Sequence, residues 1–304
     1  MSTSRTLTLS QPGRRWLRRV AILAAVVGAA LGLETFLLHM STDPFADTRL
    51  YYDAGARLNA GLPLYLDAVP GAAGPYTNPP LLAIAFRPLA LLPFPVAAAI
   101  WEAILVVAFV LTLRRIRLRE PVVIALGCLA LPILWALSIG QSEVLVTLLL
   151  TLGTPLSVAF AGNLKLVPFI AGIYWISRRD RRALVGLVAW AAAIGLVQLV
   201  LEPAATLEYL RLAWLQSAFG YRSVSPFVIH PLLWVALVGI LSGLALRYGR
   251  MWSGWAMAVV LAVFANPRLL VYQLMTLLAA FGGPQTGTTG NGTPVPVTGR
   301  TTPP

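Results

Sequence analysis

Charge is scarce in this chain. Of its 304 residues only 11% are charged, against 58% hydrophobic, and mean hydropathy is +0.78. Soluble domains carry roughly 25% charged residues. The shortfall excludes an ordinary soluble enzyme, a disordered protein and a coiled coil, and leaves a polytopic membrane protein. Cysteine is almost missing: Cys128 alone permits no internal disulfide and no thiolate metal cluster. The two histidines, His39 and His230, lie far apart and make no metal-ligand spacing. No metal or other cofactor is therefore expected. Acidic residues are outnumbered, 11 to 23, giving a net charge of +12. The arginines sit in short clusters beside apolar runs, as in cytoplasmic loops, and form no basic stripe with interleaved aromatics. Nucleic acid is not an expected partner. There is also no Walker loop, dinucleotide fingerprint, serine nucleophile elbow or zinc motif.

What is present is a series of apolar runs. Residues 1–19 form a basic tail with Arg5, Arg14, Arg15, Arg18 and Arg19. The apolar run 17–40 follows, too long for the core of a signal peptide, and reads as a retained membrane helix with a cytoplasmic N-terminus. Later runs are 81–94, 95–113, 121–138, 142–160, 164–177, 183–201, 227–246, 251–265 and 269–282. A full span needs about 20 residues. The short runs 81–94 and 164–177 contain Pro88 and Pro168, and are either thin helices or re-entrant pieces. If both cross, there are ten helices; if neither does, there are eight, and the charge rule favours eight because it keeps residues 114–119 inside. The predicted fold is thus an all-α transmembrane bundle of eight to ten helices over 20–282, with both termini cytoplasmic. Residues 283–304, rich in Gly, Thr and Pro, are expected to be disordered.

Two segments are expected outside. Residues 41–80 hold Asp43, Asp47, Asp53 and Asp67, four of the five aspartates. Within them 47–60 reads as an amphipathic helix: Leu50, Tyr51, Ala54 and Leu58 share a face, Arg49, Asp53 and Arg57 can pair, and Gly61 with Pro63 ends it. Segment 202–226, with Trp214, Phe219 and Tyr221, reads as an interfacial helix.

Motifs along the chain carry a resemblance. Asp47-Thr-Arg-Leu-Tyr51-Tyr52-Asp-Ala-Gly55, Gly61-Leu-Pro63-Leu-Tyr65, Tyr76-Thr-Asn-Pro79-Pro80-Leu, Pro88 to Pro93, Trp101, Gly140-Gln141, Leu164-Lys165-Leu-Val-Pro168 and Asn266-Pro267-Arg268 occur in that order. The chain resembles glycosyltransferase family 87, integral-membrane sugar transferases of the GT-C class. The resemblance implies a polyprenyl-phosphate sugar donor, mannose or similar, a lipid or glycan acceptor, membrane lipids as surroundings, and inversion at the anomeric carbon. It also implies that Asp47 is the catalytic base on the outer face. Read as residues alone, Asp47 is equally a helix N-cap, and Asp43, before Pro44, is the alternate base or a turn residue.

Tyr52 and Tyr65 are candidates for contact with a sugar ring, or for interfacial packing. Lys165, the chain's one lysine, lies in an apolar stretch, where a charge is costly and usually functional; it either binds a phosphate or snorkels to the surface. Arg87 has the same ambiguity. Arg222, His230 and Arg268 fall near the outer face, to meet a lipid phosphate or to anchor the interface. Glu102 and Glu143 lie within apolar runs and keep open the alternative of a transporter or flippase of a lipid-linked sugar. A catalytically inactive relative is the third reading.

Overall fold

The computed structural model describes residues 11–65, 76–216, 223–251 and 253–284, with side chains left out at 11–14 and 212–216. Arg222, Asp67, Phe219, Tyr221 and the tail from 285 onward therefore lie outside the described residues, as does the side chain of Trp214. The protein is an all-α polytopic bundle, without strands among the described residues. Its helices are α1 (Gln11–Thr42), α2 (Ala46–Asn59), α3 (Pro80–Phe86), α4 (Phe94–Ile116), α5 (Glu120–Cys128), α6 (Ala130–Ser138) and α7 (Glu143–Leu152). They continue with α8 (Pro155–Leu164), α9 (Ile173–Arg178), α10 (Arg181–Leu201), α11 (Pro203–Gln216), α12 (Pro231–Tyr248) and α13 (Gly254–Phe264). Of the 3-10 segments between and after them, Val167–Gly172 and Val271–Phe281 are the longest.

Length separates two kinds of element. Four helices, α1, α4, α10 and α12, are long and apolar enough to cross a membrane, and α5 with α6 is long and apolar enough only as a pair, bent by 61°. Pro132 accounts for the bend: it lacks the N–H that would bond to Cys128, and its ring crowds that carbonyl. The long helices leave large side chains such as Val185, Val188 and Val200 exposed, the surface expected against lipid tails. Short pieces fill the interior. Buried Val144, Val146 and Leu150 of α7 share a core with Val158 and Ala161 of α8, Ala258 and Val259 of α13, and Met275 and Leu278.

The run 142–160, read as one helix from its apolarity, is a hairpin of α7 and α8. Gly153 takes φ +64, a left-handed conformation that glycine adopts without penalty. Thr154 then opens α8 with a capping box to Ser157, and Pro155 occupies the first turn. The run 81–94 is broken into short pieces rather than one long helix. It becomes α3 and the 3-10 turn Leu89–Leu91, both packed on α2. The ion pair Arg87–Glu202 at 2.6 Å and the bond from Leu81 N to Gln198 Oε1 at 2.9 Å tie α3 to the end of α10. The run 164–177, in contrast, leads from Lys165 to Arg178 at the opposite end of the bundle.

That opposite end is basic. Arg18 pairs with Glu120 at 2.5 Å, Arg115 donates to Gly283 O at 3.3 Å, and Arg178 donates to Arg250 O at 3.3 Å. Residues 114–119 therefore share an end with Arg18.

Helix α2 forms as the sequence reading expects, burying Tyr51, Ala54 and Leu58 with Leu50 packed beside them. Its Gly55 touches α3 so closely that a Cβ there would sit 2.7 Å from the Phe86 carbonyl carbon. The expected pairing of Arg49, Asp53 and Arg57 does not form. Arg49 stacks on Phe94, 3.4 Å from the ring centroid, and Arg57 donates to Pro63 O at 2.8 Å. Aromatic and carbonyl partners hold these guanidinium groups in one place, whereas an exposed pair gains little.

Gly153→Ala tests the hairpin. A Cβ would meet the Pro284 nitrogen at 2.5 Å, and the left-handed turn adds strain, together on the order of 1–3 kcal/mol. The expected result is a lower melting temperature in detergent; an unchanged one removes this account of the break.

Candidate functional site

The site begins where α1 stops. Asp43 and Pro44 turn the chain, and Phe45 enters α2 in the left-handed region at φ 60, ψ 31. A non-glycine residue held there is unusual. It is fixed by bonds from the α2 start to the end of α6: Phe45 N to Ser138 O at 3.0 Å, Asp47 N to Ile139 O at 2.9 Å, and Thr48 N to Ile139 O at 3.2 Å. Orphan donors of one helix thus meet orphan acceptors of another. The carboxylate of Asp47 stands in the first turn, where the helix dipole favours negative charge.

The turn from α6 to α7 completes the seat. Gly140 has φ +72, and a Cβ on it would run into the side chains of Thr48 and Glu102. Its carbonyl accepts from Trp101 Nε1 at 2.8 Å, and Thr48 Oγ1 donates to Glu102 Oε1 at 3.1 Å. Clamped in this way, the turn delivers Gln141.

Gln141 is 3% exposed and has partners on all sides. Its Nε2 donates to Asp47 Oδ2. Its Oε1 accepts from Tyr51 Oη at 2.5 Å, Ser142 Oγ at 3.0 Å and Lys165 Nζ at 3.0 Å. Lys165 also donates to Glu143 Oε2 at 2.7 Å, and Thr276 Oγ1 donates to Glu143 Oε1 at 2.5 Å. The ammonium has one further N–H to give, and its Nζ stands 5.3 Å from the Tyr272 ring centroid. A cavity of about 40 Å³ adjoins this cluster, bordered by Glu143, Lys165, Asn266, Gln273 and Thr276. It has room for a few water molecules.

Arg268 arrives on a built turn. Asn266 Oδ1 accepts from Arg268 N at 3.0 Å, and Gln273 Oε1 accepts from Asn266 Nδ2 at 3.1 Å. The Arg268 Nε is buried and has no hydrogen-bond partner among the described residues. Asp47 itself is half-buried, and burial pushes its pKa up to about 6; Lys165 and Arg268 pull it down, Asp43 pushes it up. The Oδ2 atom is held by Gln141, and that is the carboxylate's one hydrogen bond among the described residues. The arrangement offers one free carboxylate oxygen of raised basicity beside two cations.

Of the sequence candidates, Asp47, Lys165 and Arg268 come together. Lys165 does not snorkel; it turns into the cluster, its side chain 13% exposed. Asp43 stays exposed at the rim, close enough to raise the Asp47 pKa. Tyr52 lies in the contact of α2 with α4, donating to Leu92 O at 2.8 Å with its ring edge-on to Phe94. Tyr65 is buried beside Tyr76 and Tyr209, with both ring centroids 6.0 Å away, and donates to Asn78 O. His230 caps α12, its Nδ1 accepting from Leu232 N at 3.2 Å. Arg222 lies outside the described residues. Arg87 is occupied by Glu202 and Asn59. Sequence reasoning did not place Gln141, Glu143 and Thr276 in the site. The signal was available in Gly140-Gln-Ser-Glu143, a glycine followed by three polar residues that open an apolar run.

The profile of glycosyltransferase family 87 matches residues 76–282, more than half of the chain. The chain belongs to that family. Two curated relatives are named polyprenol-phosphate-mannose-dependent alpha-(1-2)-phosphatidylinositol pentamannoside mannosyltransferase. The one from Mycolicibacterium smegmatis is 30% identical over 204 residues, covering 60% of this chain and 49% of the relative. The one from Mycobacterium tuberculosis (strain CDC 1551 / Oshkosh) is 29% identical over 215 residues, covering 63% and 49%. The chain spans about half the length of these relatives. No solved structure matches it. Helix α2, with Asp47, precedes the family match, yet Gln141, Lys165 and Arg268 that surround Asp47 fall within it.

The raised pKa has a consequence for stability. Between the usual carboxylate value of 3.8 and about 6 the folded protein binds a proton that the unfolded chain releases. Stability therefore falls as pH rises through that window, by at most about 3 kcal/mol, and by less because the carboxylate is partly solvated. Asp47→Asn removes this cost. It is expected to raise the melting temperature at pH 7–8 and to leave it unchanged near pH 3.5. A variant less stable at pH 8 contradicts the assignment of burial as the dominant cause.

Proposed function

We propose that the protein transfers a sugar, mannose by analogy with its named relatives, from a polyprenyl-phosphate donor to a hydroxyl of a lipid or glycan acceptor. The observation that carries this reading is Asp47, with one oxygen fixed by Gln141 and the other unpaired, beside Lys165 and Arg268. In the transfer the acceptor oxygen attacks the anomeric carbon as the carbon–oxygen bond to phosphate breaks. Asp47 Oδ1 takes the hydroxyl proton as general base. The bond electrons leave on the phosphate, whose charge Lys165 and the free Arg268 Nε stabilise. Attack opposite the leaving group inverts the anomeric carbon. Asp43, at the rim, is the alternate base. A transporter reading is weaker, because Glu143 is locked to Lys165 and Thr276 rather than facing a path.

Asp47 follows the C-terminal end of α1, and Arg18 lies near the opposite end of that helix, paired with Glu120. Basic loops stay in the cytoplasm, so both the basic tail and the last described residues belong inside and Asp47 belongs outside. Ala60→Cys, in a Cys128→Ser background, is expected to react with a membrane-impermeant maleimide on intact cells. Reaction only after lysis reverses the orientation.

Transfer from a labelled polyprenyl-phosphate mannose by purified protein tests the chemistry. Asp47→Asn is expected to keep donor binding and lose turnover by roughly 100-fold or more. Asp53→Asn, on the exposed face of α2, is expected to stay within a few-fold of the unaltered chain. If Asp43→Asn is inactive while Asp47→Asn is normal, the base is Asp43; if both turn over normally, neither carboxylate is the base.

A further inference from the structure

The feature that the proposed transfer leaves without a role is Gln141. It is almost fully buried, and it stands between a carboxylate and an ammonium that would otherwise be free to meet. We infer that Gln141 is a positioning residue that keeps Asp47 and Lys165 apart and leaves Asp47 Oδ1 as the one oxygen open to an acceptor hydroxyl. The inference rests on the reading of Asp47 as the base.

Three observations support it. First, the amide has only one workable orientation. Its Nε2 faces a carboxylate, which only accepts, and its Oε1 faces an ammonium, which only donates. The Tyr51 hydroxyl and Ser142 Oγ converge on the same Oε1. Burial raises the Tyr51 pKa, so that hydroxyl remains a donor. Four groups thus fix a side chain that carries no charge.

Second, the backbone around it is built to hold it still. Gly140 is left-handed, its carbonyl is taken by Trp101, and Thr48 and Glu102 close the space a side chain would occupy. Gln141 N donates to Ala136 O at 2.8 Å.

Third, the alternative to an amide at this position is a direct ion pair. An Asp47–Lys165 pair would occupy a carboxylate oxygen and lower its basicity. With Gln141 in place, Lys165 acts on Asp47 only through space, and its two hydrogen bonds go to Gln141 and Glu143. The other ionisable groups facing Asp47 are Asp43 from the α1–α2 turn, Arg268 from the turn after α13, Tyr51 on α2 itself and Tyr272. Glu102 on α4 approaches the same turn through Thr48, and Glu143 lies beyond Lys165.

Gln141→Glu separates positioning from packing. It keeps an oxygen for Tyr51, Ser142 and Lys165, and replaces the donor to Asp47 by a second acceptor. Two carboxylates facing one another share a proton, and the last one leaves at higher pH. The acid limb of kcat/KM for mannose transfer is expected to move up by more than about one pH unit. Turnover at pH 9 is then a larger fraction of the unaltered chain's than at pH 7, with donor KM changed less than about threefold. Gln141→Leu, which supplies neither donor nor acceptor, is expected to lose turnover at least about tenfold across the pH range. A Gln141→Glu profile that superimposes on that of the unaltered chain overturns the inference, as does a Gln141→Leu variant of normal turnover. Asp47→Asn run alongside distinguishes the two levels. If it is active, the base assignment fails; if it is inactive while the Gln141 variants behave normally, only the role of Gln141 fails.

Discussion

A charge taken out of water has to be met by another group, and the interior of this bundle is organised by that requirement. Lys165 and Glu143 lie among apolar helices, where an unpaired ion costs several kcal/mol. They meet each other, Lys165 also donates to Gln141, and Glu143 also accepts from Thr276. Those four side chains come from α7, the end of α8 and the 3-10 segment Val271–Phe281, with the turn after α6. Through Asp47 and Tyr51 the network also takes hold of α2, which lies outside the membrane spans. Such a network holds as a unit: removing one member leaves another buried without a partner.

The same requirement explains which parts of the structure the sequence makes legible. Composition gives the all-α membrane class, because no other class tolerates so little charge. The period of Tyr51, Ala54 and Leu58 gives α2, because a helix lying on a bundle buries one face. Lys165 stands out, because a lone lysine in an apolar run demands a partner. Its partner does not stand out. Glu143 is 22 residues away, and apolar periodicity carries no information about which polar groups meet in space. Periodicity is also blind to breaks: the run 142–160 is mostly apolar, and only Gly153-Thr154-Pro155 marks the break. Tyr52, Tyr65 and His230 have residue types suited to sugars and phosphates, but the two hydroxyls donate to nearby carbonyls and His230 Nδ1 accepts at a helix end. A residue type shows what a group is able to do; its partners determine what remains for it to do.

The family match and the candidate base occupy different stretches of the chain. Residues 76–282 carry the match, and Asp47 stands before it. Contact bridges the gap. Each group bonded to the Asp47 carboxylate or acting on it across the cluster from Gln141, Lys165 and Arg268 belongs to the matched region. The matched region thus supplies the receptacle and α2 supplies the acid that sits in it.

Helix α2 rests on α3 through Gly55, whose missing side chain allows the Phe86 backbone to come close. From Gly55 to Asp47 is eight residues, about 12 Å along the helix axis. The helix works as a rigid beam, with its fulcrum toward its C-terminal half and its carboxylate in its first turn. A methyl group at the fulcrum that lifted the beam by an ångström would tilt the far end by a comparable amount, and a loss of about an ångström in alignment is enough to slow a transfer roughly 100-fold. The proposed transfer is therefore exposed to a residue two helical turns away that touches neither sugar nor phosphate.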